Sequence, residues 1–445
     1  MQIKTVGFVF HDFSQGGIQR VLANLIRILV NGGYRVVMLT TISAHSNEYD
    51  VPVDFDRITI GRYTPDGERG RLMREAIVKH KIDLVIHHEY YLSTLEEDVK
   101  VLEESGVPFL IHLHNVFSNM YMRDNRQLDT LRFWQLYQRT DGLLVLSRVD
   151  KAFVSMLGIR AFYMPNPVDR ISAPVRENDA NRHVILWFAR FTDVKQPTHA
   201  LQIFEKVLES VPDAEMYMLG DPQSQVWGKK SLEWVQKKPN VAGKIHFEGF
   251  QPNVFKYLRM SDVTLVTSKF EGFCLTIMES KACAVPVVSY AMPYLETTFP
   301  DEGVVSVPQG DVAGAAAEII KVLSDREYAA RIADAGRRAY ERYMNIDLLA
   351  EYRKVFSDIE ACPRQRAIDR EYTRNRIMLE TLLLHVDSAL RMFQGKIGRL
   401  DKLLAAANAK AASLAKQVDE LKSRTVAGCA CSQDSKVVGD DADGK

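Results

Sequence analysis

Among 445 residues there are only 5 cysteines, placed too irregularly to form a disulfide framework. That scarcity points to a reducing compartment rather than an oxidising one. Cys429-Ala-Cys431 has one intervening residue where a zinc knuckle has two, so it does not read as a metal hook. Neither sign of charge is in excess, since 57 Lys and Arg balance 57 Asp and Glu. A nucleic-acid partner therefore has no electrostatic footprint. No apolar run reaches the roughly 18 residues of a membrane span. The stretch from Met1 to Phe10 lacks the long apolar centre and cleavage site of a signal peptide. These absences predict a soluble cytoplasmic protein, with peripheral contact at the inner face of the membrane left open. What remains is a globular composition, 46% hydrophobic and 26% charged, long enough for about three domain-sized units.

Short apolar runs alternate with helical patterns, as a parallel α/β sheet requires. Lys4 to Phe10, Arg35 to Thr40, Leu84 to His87, Phe109 to His114 and Leu143 to Leu146 read as one series of strands. Val184 to Phe188, Glu215 to Leu219, Ile245 to Phe247, Thr264 to Thr267 and Pro286 to Ser289 read as a second. Helical periodicity over Ile18 to Val30 stops at Asn31-Gly32-Gly33. The reading is two Rossmann-like α/β domains, 1–165 and 166–345, joined near Pro165-Asn166-Pro167. Ligands of such sheets bind beyond the carboxyl ends of the strands, so the cleft between the two is the expected site.

From Leu379 to Leu421 an apolar residue recurs at every third or fourth position, including Val386, Phe393, Leu400, Ala407 and Leu414. A 3.5-residue period held for about six heptads is a coiled-coil seam. One helix cannot bury its own seam, which predicts a homo-oligomer or a partner helix. The helical coiled coil is set at 363–423, with a disordered polar tail at 424–445.

The most informative run is Ser268-Lys-Phe-Glu271-Gly272-Phe273-Cys274-Leu275-Thr-Ile-Met-Glu279. It reads as a strand end, a tight turn and a helix starting at Cys274. Such a helix presents free backbone N–H groups to an anion. Glu271 at the turn can reach the non-phosphate part of a ligand, and Glu279, roughly two turns into the helix, can accept from vicinal hydroxyls. Two glutamates eight apart are, by spacing alone, usually just solvated. Together with the glycine, the aromatic and the following Ala282-Cys-Ala-Val-Pro286 strand entry, the run resembles the glutamate-x7-glutamate motif of family 4 retaining glycosyltransferases, enzymes of the GT-B fold. Cys274 stands where a second glycine is usual. The resemblance implies that Glu271 and the adjoining Gly272 and Phe273 lie by the donor sugar, and that Glu279 binds the nucleotide ribose.

Other segments fit the same pattern. His11-Asp-Phe-Ser-Gln-Gly16-Gly17-Ile-Gln-Arg20 opens the first helix, and paired glycines there let backbone approach a diphosphate closely. It lacks the GxGxxG fingerprint but resembles the family's Gly-Gly-x-x-Arg opening. Arg190 and Lys195, in a loop after the first strand of the second domain, carry two charges suited to two phosphates. Their spacing resembles the family's arginine and lysine that hold the pyrophosphate. In Pro108-Phe-Leu-Ile-His112-Leu-His114, both histidines point to one face, and spacing does not choose between them. The terminal position puts His114 at the cleft rim, where the family has a histidine, and leaves His112 as a satisfied core or second-layer residue. Residues from Asn115 to Tyr121 would then face the acceptor. His87-His88-Glu89 lacks metal spacing and is assigned to the cleft wall at most. Asn166 resembles the family's linker asparagine, and the strand before Gln251 its base-contacting strand.

No aspartate-x-aspartate pair is placed to hold a metal–diphosphate, and no nucleophile–base pair stands out near Cys274 or Cys283. The resemblance covers residues 1 to about 360, including a crossover helix at 346–362 that packs back on the first domain. It implies metal- and cofactor-independent transfer of a sugar from a UDP- or GDP-linked donor to a glycan or lipid-linked acceptor. Arg190, Lys195 and the helix N-terminus would stabilise the departing diphosphate; His114 and Glu271 would orient the sugar. A nucleotide-sugar epimerase of the same fold and a non-catalytic coiled-coil scaffold are the alternatives.

Overall fold

The computed structural model describes residues 2–14, 16–46, 48–63, 67–88, 95–116, 136–156, 158–171, 183–223, 225–292, 295–298 and 302–362, with short stretches between 399 and 417. The chain divides into two compact units, Met1–Arg376 and Ile377–Lys445. In the second unit the described residues are helical and exposed, Leu400, Leu403 and Leu414 among them. Most of the seam from Leu379 to Leu421, the expected tail, and Cys429 and Cys431 lie outside the described residues.

The first unit holds two parallel sheets. Strands β1 (Thr5–Phe10), β2 (Arg35–Thr40), β3 (Asp56–Thr59), β4 (Leu84–His87), β5 (Phe109–His112), β6 (Gly142–Val145) and β7 (Ala161–Tyr163) form one, in the order β3-β2-β1-β4-β5-β6-β7. Strands β8 (Val184–Phe188), β9 (Glu215–Leu219), β10 (Ile245–Gly249), β11 (Val263–Val266), β12 (Val287–Tyr290) and β13 (Val304–Val307) form the other, ordered β10-β9-β8-β11-β12-β13. Each reverses strand order once, between β1 and β4 and between β8 and β11. A crevice opens at such a reversal, beyond the carboxyl ends of the strands.

Helices α1 (Gly17–Asn31), α2 (Glu68–His80), α3 (Leu95–Ser105) and α4 (Arg148–Met156) belong to the first lobe. In the second are α5 (Pro197–Leu208), α6 (Val226–Gln236), α7 (Pro239–Ala242), α8 (Phe255–Met260), α9 (Leu275–Ala282), α10 (Val312–Ser324) and α11 (Arg326–Met344). Helix α1 buries Leu22, Leu25, Ile26 and Leu29 against β1 and β2 residues. It ends in a Schellman motif: Tyr34 N–H bonds Leu29 O, Gly33 N–H bonds Val30 O, and Gly33 takes φ +89°. Helix α12 (Leu348–Ala361) sends Tyr352, Val355, Phe356 and Ile359 into the core of the first sheet. Arg160 fastens its end by donating to the carbonyls of Asp358 and Cys362 at 2.7 and 2.8 Å.

Strands appear where the sequence places them, β8 (fully buried) and β9 to the residue. The Phe109 ladder ends at His112 rather than His114, although Leu113 N–H still reaches Leu144 O. β3, β7 and β13 carry no matching expectation.

The first lobe contains a buried ionic knot. Arg69 makes two parallel bonds to Asp98, at 2.8 and 2.7 Å, and His87 Nε2 lies 2.9 Å from the same carboxylate. All three are wholly buried, and Arg69 also donates to Gly61 O at 2.6 Å. Burial pushes the Asp98 carboxyl up, but Arg69 and His87 outweigh it and hold it below the usual range. The knot ties α2, α3 and the ends of β3 and β4 together at the cleft side of the sheet. Asp98→Ala leaves a buried guanidinium unpaired, which costs about 3–5 kcal/mol. A lower urea midpoint is expected, recovered in large part by Arg69→Met with Asp98→Leu; an unchanged midpoint for Asp98→Ala would show the pair is not formed.

Candidate functional site

The two switch points face each other. At the second, β8 ends and the chain passes Arg190 before a single 3-10 turn, Asp193–Lys195. The Lys195 ammonium is ion-paired with Glu271 Oε1, and Ser268 Oγ donates to the same oxygen at 2.6 Å. This loop is fixed from beneath. Thr267 Oγ1 donates to Lys195 O at 2.7 Å, Gln196 Nε2 to Thr267 O at 2.9 Å, and Gln309 Nε2 to Ser268 O at 2.8 Å. Lys195 and Glu271 are thus held on two segments that no sequence spacing connects. Arg190 is exposed, and its side chain makes no hydrogen bond or ion pair among the described residues.

The turn after Glu271 carries the inter-lobe contact. A Cβ added at Gly272 would sit 2.3 Å from the backbone oxygen of His114 and 2.8 Å from Asn115 Cα. Only glycine fits there. Cys274 follows in the left-handed conformation, φ +62°, and caps α9 without a side-chain hydrogen bond. Glycine adopts that conformation freely, which is a physical reason for glycine at this position. Of the first-turn N–H groups of α9, that of Ile277 bonds Cys274 O at 3.1 Å, and the remaining helix N-terminus is a place that suits an anion. Burial pushes the Cys274 thiol far up, with Glu271 adding to it, and that of Cys283 up to about 12. Neither is a thiolate nucleophile. Phe273 packs with Leu146, Met278 and Tyr340 instead of lining open space.

Glu279 is the fifth residue of α9, one turn in and not two, because the helix begins at Leu275. It is buried and ion-paired with Arg20 Nη1, from the first lobe. Arg20 also grips Asp169 through Nη2 at 2.9 Å and Nε at 3.2 Å, and Arg27 reaches the other Asp169 oxygen at 3.2 Å. Burial pushes the Glu279 carboxyl up, and the Arg20 charge only partly reverses it. Its Oε2 has no hydrogen-bond partner among the described residues. Arg20 is the residue whose role spacing alone missed; its signal was the arginine three positions after Gly17. The paired glycines bring α1 close to α9, with Leu275 Cδ1 3.8 Å from a Cβ placed at Gly17. At Gly16 a Cβ would meet Gln19 Oε1 at 2.4 Å, a side chain that Asp12 holds at 3.2 Å.

At the first switch point, His114 is buried beneath Gly272 with His88 and His112. His88 Nδ1 lies 2.7 Å from His114 Nε2, and the His112 and His114 rings are 4.2 Å apart. The common face expected of His112 and His114 is therefore real. His112 is not satisfied, however: neither ring nitrogen has a hydrogen-bond partner among the described residues. His88 is more than cleft wall.

Asn166 and Gln251 are not drawn into this group. Tyr343 OH donates to Asn166 O at 2.6 Å while the Asn166 side-chain oxygen is buried without a partner. Gln251 Nε2 bonds Glu248 O at 2.6 Å, on its own strand end. Of the segment Asn115 to Tyr121, residues 117–121 lie outside the described residues.

Gly272→Ala should force the turn off the His114 carbonyl. A lower melting temperature with unchanged far-ultraviolet circular dichroism is expected. A melting curve superimposable on the parent's would show that the lobes do not touch here in solution.

A family model described as Glycosyltransferase Family 4 matches residues 15–170, and one described as Glycosyl transferases group 1 matches 169–339. The chain is 26% identical over 181 residues to N-acetyl-alpha-D-glucosaminyl L-malate synthase of Bacillus anthracis, covering 40% of this chain and 45% of that one. It is 30% identical over 217 residues to D-inositol 3-phosphate glycosyltransferase of Geodermatophilus obscurus, covering 45% and 47%. The matched stretches thus span less than half of these curated relatives. Among solved structures, sucrose-phosphate synthase from Thermosynechococcus elongatus superposes with TM-score 0.68 at 18% identity, over 80% of this chain and 99% of that one. Anabaena HepE in complex with UDP-glucose does so with TM-score 0.65 at 16% identity, over 80% and 99%. These structural likenesses carry the fold. With the two family models meeting end to end across both sheets, the chain belongs to the family 4 glycosyltransferases, enzymes of the GT-B fold.

Proposed function

We propose that this protein transfers a sugar from a nucleoside-diphosphate donor to a hydroxyl of a glycan or lipid-linked acceptor, with retention at the anomeric carbon and without a resident metal. The observation that carries the reading is the juxtaposition of Lys195 and Glu271 with the uncapped N-terminus of α9, at the switch point that meets His114. Lys195 and the α9 N–H groups would stabilise the diphosphate as its bond to the anomeric carbon breaks, with exposed Arg190 as a second cation. Such preorganised charge is the largest single contribution open to a site of this kind. Glu271 is engaged by Lys195 and Ser268, which suits a carboxylate that positions the sugar better than one that attacks it. His114 would complete the sugar pocket. Glu279 would offer Oε2 to a ribose hydroxyl while Arg20 keeps Oε1.

Domain closure over the donor would exclude water, the competing acceptor. HepE is described with UDP-glucose, which supports trying uridine-linked donors before guanosine-linked ones. No described helix is long and apolar enough to cross a membrane. A cytoplasmic enzyme, working at the inner membrane face on a lipid-linked acceptor, is the corresponding proposal for location.

The test is to incubate the full chain with nucleotide sugars and follow free nucleoside diphosphate with and without acceptors. Acceptor-dependent release is expected; isomerised donor would replace the reading with an epimerase, and silence across donors with a scaffold. Within an active preparation, Lys195→Ala and Glu279→Ala should each lower kcat/KM at least about tenfold with the fold intact. Near-normal turnover would remove these residues from the site. The heptads from Leu379 to Leu421 are proposed to join copies of this chain or a partner helix. Deleting them should change the sedimentation mass without abolishing donor turnover, and an unchanged mass would end the coiled-coil proposal.

A further inference from the structure

Parallel pairing of β4 and β5 brings three imidazoles to one point in the first lobe. His88 directly follows β4, while His112 ends β5 and His114 lies two residues on. Ring centroids are 5.0 Å apart for His88 and His114, 5.1 Å for His88 and His112, and 4.2 Å for His112 and His114. One ring nitrogen from each lies within 4.8 Å of the other two. His88 and His112 are fully buried and His114 nearly so. Buried polar atoms nearly always have partners, yet His88 Nε2 and both His112 nitrogens have none among the described residues. Burial disfavours the charged form of an imidazole, and a neutral imidazole has one lone pair to give a cation.

We propose that His88, His112 and His114 bind one divalent transition-metal ion of the zinc type. Three neutral imidazoles are a known zinc donor set, and borderline-soft cations favour them over the oxygen ligands that magnesium and calcium take. The buried carboxylate of Asp98, which bonds His87 beside His88, is held by Arg69 and does not compete as a ligand. At 2.7 Å, His88 Nδ1 and His114 Nε2 share one proton. The ion takes that position, and the ring that carried the proton holds it on its other nitrogen instead, so that every ligand stays a neutral imidazole. With metal–nitrogen bonds of about 2.0–2.1 Å in a tetrahedral array, ligand nitrogens stand roughly 3.3 Å apart. The pair therefore opens by about 0.6 Å, which small rotations of the two rings supply. Three protein ligands leave the fourth position open. Because the proposed function sets His114 against the donor sugar, an ion here withdraws that ring from the substrate. The ion is an inhibitor of transfer and not its cofactor, a consequence that rests on that functional reading.

The untagged full chain is titrated with Co²⁺ near neutral pH, and visible absorption is read for the bands of tetrahedral cobalt. One saturable equivalent is expected, displaced by Zn²⁺ and indifferent to Mg²⁺. His112→Phe and His88→Phe keep a buried ring while deleting a ligand, and each should lose the bands while far-ultraviolet circular dichroism is retained. Absent bands in the parent chain, or bands that persist in both variants, overturn the site. Where donor turnover is measurable, Zn²⁺ should inhibit the parent chain at least tenfold more strongly than His112→Phe; equal inhibition removes the regulatory consequence. The two readings fail separately: cobalt bands without turnover discard transfer and keep the metal site, and turnover without bands does the reverse.

Discussion

The contact between the Gly272 turn and the carbonyl of His114 sets the geometry of everything around it. It is a backbone-to-backbone approach that any side chain at 272 would obstruct, since a Cβ would lie 2.3 Å from that oxygen. Through it the switch point of one sheet is pressed to the switch point of the other. Both halves contribute charged and polar groups to the cleft. The second lobe brings Lys195, Glu271 and the N-terminus of α9, and the first brings His114 and Arg20.

Charge is then arranged in two groups beside that contact. Lys195 and Glu271 are fixed through Thr267, Gln196 and Gln309. Arg20, Glu279 and Asp169 cross between the lobes and the linker, with Glu279 buried and Arg20 and Asp169 partly exposed. Removing the cation beside Glu279 leaves a buried carboxylate with an uncompensated desolvation cost. The inter-lobe network therefore favours the closed arrangement while it stays complete. Under the proposed function, a ribose hydroxyl at Glu279 would add to this network without breaking it, because Arg20 occupies only Oε1.

Much of the fold was legible because central parallel strands are buried on both faces and read as continuous apolar runs. β8 shows this best. β3, half-buried with Asp56 and Arg57 in its four residues, carries no such run, and β7 has only three residues at the sheet edge. The pairing of Glu271 with Lys195 was legible only as two separate motif resemblances, because tertiary folding joins segments 76 positions apart. Glu279 lies four residues after Leu275, about one turn into α9 and not two, with the left-handed Cys274 outside the helix. His112 was misjudged for a related reason. Alternation predicts which face a strand residue takes, but whether its nitrogens find partners depends on β4, a neighbour remote in sequence.

Cys274 shows how the site tolerates departure from its own pattern. A non-glycine residue at φ +62° carries strain, and such strain persists only where surrounding structure over-determines the conformation. Here the determinants are visible: Gly272 is pinned against the first lobe, and Phe273 is packed beside Tyr340 and Tyr343 with its carbonyl accepting from Thr297 at 2.7 Å. The chain must then turn sharply to start α9 at Leu275. Cysteine is small enough to be buried in that turn among Val266, Ile277 and Leu295. It also lacks a second substituent on Cβ, so it meets the left-handed backbone at less cost than valine or threonine would. Helix α9 has no side-chain cap of the usual kind at Cys274, and Ile277 N–H bonds the Cys274 carbonyl at 3.1 Å. Under the proposed function, a serine or aspartate here would compete with the diphosphate for the helix-end donors. The residue is therefore constrained from two directions, by backbone conformation toward glycine and by the need for an uncapped helix end away from the usual capping residues.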